Sequence, residues 1–190
     1  MTALAGIPPS KSLKGISGQV NLVQGEYAVS ADANVALTTI LGSCVAACMR
    51  DPRVGVGGMN HFLLPGALVG ANESVERGVH AMELLINSLL QAGARRDRLE
   101  AKLFGGARMM KNLSDIGAKN ATFASDFLRQ ERIPHLGGSL GGEQARRIRF
   151  WPVAGKAQQR ILGQSEAHVF ARELSIAATP TAPADDVEFF

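Results

Sequence analysis

Apolar and polar positions change their period several times along this chain, and each change marks an element. From Gln19 to Ser30 the run around VNLVQGEYAV reads as a first strand. Asn34 to Leu41 (NVALTTIL), apolar and β-branched, reads as a buried one. CVAACMR and VGVGGMNHFLL flank the turn signal Asp51-Pro52 and form a β-hairpin pattern. A helix is predicted from Asn72 to near Gly93. Val75, Val79, Met82, Leu85, Ile86 and Leu89 make its buried stripe, with Asn72 as cap. Leu99 to Phe104 reads as a strand, and Ser114 to Arg132 as a second helix with Ile116, Phe123, Phe127 and Leu128 facing in. Ile133–Leu136 and Arg146–Trp151 are strands either side of GGSLGG, Gln159–Leu162 is a shorter one, and Ser165–Ala178 is a short amphipathic helix. Residues 1–18 form a lead-in, 19–164 the folded domain, and 165–190 a short helix with an acidic Pro/Ala-rich tail. The predicted class is α+β, with mixed sheets and two long helices.

Composition narrows the picture. A length of 190 residues suits one domain with a substantial core. No apolar run approaches the roughly 18 residues that span a bilayer, and residues 1–15 hold no apolar block of signal-peptide length. Membrane-spanning, collagenous and fully disordered classes are excluded. The net charge of +3 is uneven: five acids and one base from Ser165 onward leave +7 on residues 1–164. A basic body attracts an acidic protein surface or nucleic acid, but a single Trp and a single Tyr offer few stacking platforms, so no nucleic-acid partner is expected. Cys44 and Cys48, on one strand, lie about 13 Å apart, too far to pair. With only His61 nearby they do not complete a zinc site, so the reading is reduced thiols in the cytoplasm with no metal or cofactor.

The chemistry concentrates in LGSCVAACMRDPRVGVGGMNHFLLP, residues 41–65. A hairpin turning at Asp51–Val54 pairs Arg50 with Gly55 and sets Cys44 directly opposite His61, with Cβ atoms about 4.5–5.5 Å apart on one face. At that separation an imidazole holds a thiol as the attacking thiolate; a bulge at Gly57-Gly58 would break the alignment. Gly42 and Ser43, next to Cys44, leave room for backbone N–H groups to line an oxyanion site. Against this stands the ordinary fate of a cysteine as a small buried apolar residue. Cys48 reads as packing. His80 lies on the polar face of its helix, and neither His135 nor His168 has an evident partner in sequence. LFGGA and LGGSLGG fit neither GxxxxGK(S/T) nor GxGxxG, the first lacking the Lys and Ser/Thr of a nucleotide loop, and read as turns and close backbone packing. RRDR at 95–98 and RRIR at 146–149 read as solvated faces or docking surfaces.

From about Gly25 to Leu162 the sequence resembles the CheD family of bacterial chemotaxis, the chemoreceptor glutamine deamidases. GEYAVS, LGSCVAACMRDP, GGMNHFLLP, KLFGGARMM, IGAKNATFASDFL and IPHLGGSLGGEQARRIRF carry the resemblance in that order. It implies Cys44 as nucleophile, His61 as catalytic histidine and Thr38, with Thr39 beside it, as the third member. It implies an α/β sandwich of mixed sheets flanked by helices, similar to cytotoxic necrotizing factor catalytic domains. It also implies cytoplasmic deamidation of receptor glutamines with release of ammonia, a methylesterase side activity, and a CheC-type phosphatase of CheY as a further partner. The competing expectations are a non-catalytic module docking to such a phosphatase or to a receptor, a cysteine peptidase or transglutaminase-like transferase, and a nucleic-acid binder.

Overall fold

The computed structural model describes residues 18–64, 70–109 and 116–163. Strands β1 (Gly18–Asn21), β2 (Tyr27–Ser30), β3 (Val35–Leu41), β4 (Val45–Asp51) and β5 (Val56–Asn60) come first. Helix α1 (Ala71–Gln91), a 3₁₀ turn at Arg96–Arg98, β6 (Glu100–Gly105) and helix α2 (Ile116–Gln130) follow. Strands β7 (His135–Leu140), β8 (Arg146–Trp151) and β9 (Lys156–Ile161) close the described chain. They form a four-stranded sheet in the order β1-β3-β8-β9 and a five-stranded sheet in the order β2-β5-β4-β6-β7. β1 runs parallel to β3 and β7 parallel to β6, while the other neighbours are antiparallel, so both sheets are mixed.

The period of two sorts the strand residues into two cores. Ala46, Cys48 and Met59 join Leu37, Leu41, Ile148 and Phe150 in a cluster drawn from both sheets. Val45, Ala47 and Met49, on the opposite face of β4, join Leu85, Ile86, Leu89, Leu103 and Phe127 in a cluster between the five-stranded sheet and the helices. With both faces covered, β3 and β4 read as continuous apolar runs rather than as alternation.

The α+β class, the hairpin and the two helices match the sequence expectation; several boundaries do not. Gln19–Ser30 is two strands, one in each sheet, because Gly25 takes a left-handed φ of 88° and turns the chain between them. α1 starts after Gly70, and Asn72 makes no cap. Its buried line begins at Gly78, whose bare Cα lets Phe123 and Leu64 close in, and continues through Met82, Leu85, Ile86 and Leu89. Val75 and Val79 are 49% and 39% exposed, off that line. β7 runs through the GGS that was expected to separate strands, and β9 starts three residues early. No helix among the described residues is long and apolar enough to cross a membrane. Residues 1–17 of the lead-in, the helix expected at 165–178 and the acidic tail lie outside the described residues.

Candidate active site

The hairpin that carries the two candidate catalytic residues has a longer loop than expected. β4 and β5 pair Cys48 with Met59, Arg50 with Gly57 and Asp51 with Val56, and the bridge Val45–Phe62 carries the same register on. Asp51 sets the length: its carboxylate accepts from the Arg53 N–H at 2.9 Å, its carbonyl accepts from the Gly55 N–H at 3.1 Å, and Gly55 adopts a φ of 66°. Carried to the strand ends, this register puts His61 opposite Ala46, so Cys44 and His61 are diagonal neighbours rather than directly opposed. A shift of two residues keeps both on the same face of the sheet, where one of a single residue would have separated them. Diagonal positions remain within reach of an imidazole.

Cys44 is 4% exposed and His61 3%. The Thr39 hydroxyl donates to the Leu22 carbonyl at 2.7 Å and lies 2.8 Å from His61 Nδ1. A hydroxyl has one proton, and here it is spent on Leu22, so Nδ1 carries a proton and donates to Thr39 Oγ1. Nε2 is then the bare, basic nitrogen. It is buried with no hydrogen-bond partner among the described residues. Burial pushes the imidazole pKa down to about 4, against the opposing pull of the Leu22 carbonyl and the Glu26 carboxylate, so the ring is neutral at neutral pH. Thr38, the hydroxyl expected beside His61, donates instead to the Ile148 carbonyl at 2.7 Å. The reason is the pleat: Thr39 shares the face of Leu37 and Leu41, which point into the core between the sheets, and Thr38 points away from it.

The loop before β4 is gripped by its carbonyls. Gly42 O accepts from Ala107 N at 2.8 Å, Ser43 O from Asn120 Nδ2 at 2.9 Å, and Cys44 O from Gly106 N at 2.7 Å. A peptide unit is planar, so holding its C=O on one side aims the following N–H to the other. The Ser43 N–H has no hydrogen-bond partner among the described residues. Asn120, 0% exposed on α2, also accepts the Leu64 N–H at 2.8 Å on Oδ1. One side chain thus ties the segment before Cys44 to the segment after His61. The LFGGA glycines serve this packing: Gly105 has a φ of 107°, and a side chain there would collide with the Cys44 carbonyl.

Other sequence features fall elsewhere. Cys48 is buried, and burial, only partly offset by Lys102, pushes its thiol pKa up, so it stays protonated packing. His80 and His135 are exposed; His168 lies outside the described residues. The RRDR cluster is an ion-pair brace: Arg96 joins Glu83 and Glu131, and Arg98 joins Asp51. Arg146 is buried and donates to the Ser139 and Gly141 carbonyls, holding the glycine loop. Among the described residues no three His, Cys, Asp or Glu side chains come together to hold a metal. Sequence reasoning missed Asn120 and Gln24, whose Oε1 lies 3.6 Å from Cys44 Sγ. Asn120 had a readable signal, a polar residue on the buried line Gly117, Asn120, Ala124, Phe127. Gln24 had none while its turn was read as strand.

The family model for CheD chemotactic sensory transduction matches residues 63–161. The chain is 53% identical over 174 residues to a protein of Caulobacter sp. strain K31 described as a probable chemoreceptor glutamine deamidase CheD, covering 90% of this chain and 93% of that one. A protein of Rhizobium leguminosarum bv. trifolii strain WSM2304 with the same description is 51% identical over 181 residues, 93% of this chain and 98% of its own. One from Caulobacter vibrioides strain NA1000, again so described, is 48% identical with both chains fully covered. Among solved structures, Neisseria meningitidis protein NMB0706, family-model DUF152, superposes with a TM-score of 0.40 at 11% identity, covering 66% of this chain and 63% of that one.

Proposed function

The chain belongs to the CheD family, and from that premise we propose that it is a protein-glutamine deamidase that converts chemoreceptor glutamines to glutamate by Cys-His acyl transfer. The observation that carries the mechanism is the bare Nε2 of His61, buried on the sheet face that Cys44 shares, with the other ring nitrogen committed to Thr39. Nε2 takes the thiol proton, and the Cys44 thiolate attacks the side-chain carbonyl carbon of a receptor glutamine. The tetrahedral oxyanion is received by backbone N–H groups of the Gly42–Cys44 loop, Ser43 among them. His61 returns its proton to the amide nitrogen, and ammonia leaves. Water, with His61 again as base, then hydrolyses the γ-glutamyl thioester, giving glutamate and the thiol. The sum is carboxamide plus water to carboxylate plus ammonium.

Thr39, rather than Thr38, is the orienting hydroxyl in this mechanism, and Asn120 positions the nucleophile loop. The same groups hydrolyse a glutamyl methyl ester, releasing methanol in place of ammonia. Two sheets around a shared core, with helices on an outer face of one, support reading the fold as the deamidase α/β sandwich of the cytotoxic-necrotizing-factor type. Chemoreceptors are the substrates, a CheC-type phosphatase the further partner, and the cytoplasm the site of action.

Ammonia release from a chemoreceptor cytoplasmic fragment tests the reading. The parent protein releases ammonia in proportion to glutamines lost, and Cys44→Ala releases none above background. Equal release by both would remove Cys44 from the mechanism.

A further inference from the structure

The turn between β1 and β2 lays a glutamine side chain on the nucleophile. The Cys44 thiol donates to Gln24 Oε1 at 3.6 Å. The turn that carries Gln24 is tied to the two other residues of the site. Leu22 O accepts the Thr39 hydroxyl at 2.7 Å, Gly25 N donates to His61 O at 2.7 Å, and His61 N donates to Glu26 O at 2.9 Å. Within the turn, Glu26 N bonds Val23 O at 3.0 Å, and Val23 N bonds the Glu26 carboxylate at 2.9 Å. Gln24 is thereby held by bonds to Thr39 on β3 and to His61 just after β5.

A carboxamide carries an acceptor and a donor at its tip, and a half-turn about the last torsion exchanges them without changing its shape. Against a protonated thiol the oxygen faces sulfur. Once the proton has passed to His61 Nε2, sulfur is an anion, and the NH₂ end is the favoured neighbour. When sulfur attacks, the oxyanion grows on the carbon bonded to that sulfur, so a donor held against Sγ is in reach of it. A neutral donor suits this seat: a cation would lower the thiolate's nucleophilicity as well as its pKa, and an apolar tip would leave the developing charge with backbone donors alone. We propose that Gln24 is a further catalytic residue, donating first to the Cys44 thiolate and then, beside the Ser43 N–H, to the tetrahedral oxyanion. The proposal rests on the reading of Cys44 as nucleophile.

The test measures ammonia release from the receptor fragment, and iodoacetamide alkylation of Cys44 against pH, for Gln24→Ala, Gln24→Glu and Cys44→Ala. Gln24 is a half-buried turn residue, and the isosteric Gln24→Glu keeps its shape should truncation disturb the turn. For Gln24→Ala the expected result is a kcat lower by about 100-fold, a KM changed by less than roughly twofold, and an alkylation midpoint moved to higher pH. Gln24→Glu, with an anion in place of the donor, moves the midpoint further in the same direction. A kcat within twofold of the parent would overturn the proposal. So would a rise in kcat/KM, which would make Gln24 a resident occupant that substrate must displace. Full turnover by Cys44→Ala would instead overturn the reading on which the proposal rests, so the two failures are distinct.

Discussion

At the residue scale, two adjacent threonines separate position from type. Both are buried and both donate to a backbone carbonyl, yet only Thr39 lies against the imidazole. The face was not legible in the sequence: Ala36 and Ile40 are apolar like Leu37 and Leu41, and β3 is buried on both sides, so periodicity leaves Thr38 and Thr39 equivalent. What the sequence also lacked was the partner across the core between the sheets, since His61 directly follows β5 of the other sheet. Thr39→Val is expected to lower kcat about fivefold, the value of one hydrogen bond of about 1 kcal/mol holding the ring in its reactive tautomer. Thr38→Val, which removes a bond to the Ile148 carbonyl and none to the ring, leaves kcat within roughly twofold. Steady-state ammonia release for the two variants checks this, and the reverse order would return the orienting role to Thr38.

At the element scale, the site depends on how a hairpin, a turn and a helix meet. The hairpin was readable from Asp51-Pro52 and the apolar runs around it. Its register was not, because Asp51 and the left-handed Gly55 build a four-residue loop where a two-residue one was read. The face survived because the difference is an even number of residues. The β1–β2 turn was hidden by apolar residues on both sides of Gly25, and with it the approach of Gln24 to Cys44. α2 was readable in extent, and Asn120 stands out on its buried line only once that line is known. Asn120→Ala leaves the Leu64 N–H and the Ser43 carbonyl without their partner. It is expected to cost about 2 kcal/mol of stability and to lower kcat, counted per thiol still open to alkylation, about tenfold. Urea melts and thiol-normalised turnover separate the two effects. Unchanged turnover per reactive thiol would reduce Asn120 to a brace.

At the scale of the whole molecule, strand order was beyond the sequence. The parallel pairs β1–β3 and β6–β7 join segments on opposite sides of intervening elements, and local periodicity carries no information on such pairings. What periodicity did carry was the class, the two long helices and the burial of β3. The buried titratable groups give the folded state a defined response to acid. His61 has its pKa lowered by burial from 6.5 to about 4. Its contribution is present in full above 6.5 and is lost as pH falls toward 4, about 3 kcal/mol at most from a shift of that size. Asp51 follows at lower pH. Burial alone would raise its carboxyl pKa, but the Arg95 and Arg53 N–H groups and the Arg98 side chain outweigh that and hold it below the ordinary 3.8. Its contribution is therefore lost as pH falls below that value. Urea unfolding between pH 8 and 3, about the range in which these groups titrate, is expected to show both steps. His61→Gln should lack the upper one and keep the lower, and an unaltered upper step would place its source elsewhere.

The central claim is that a sulfur of this chain exchanges a glutamine's nitrogen for an oxygen from water. Peptide mass spectrometry of a chemoreceptor fragment, incubated with the protein in ¹⁸O-labelled water, tests it directly. The account predicts that individual glutamines become glutamates each carrying one solvent oxygen, and that Cys44→Ala leaves every one of them an amide. Receptor glutamines that keep their amide with the parent protein, or change equally with Cys44→Ala, would contradict it.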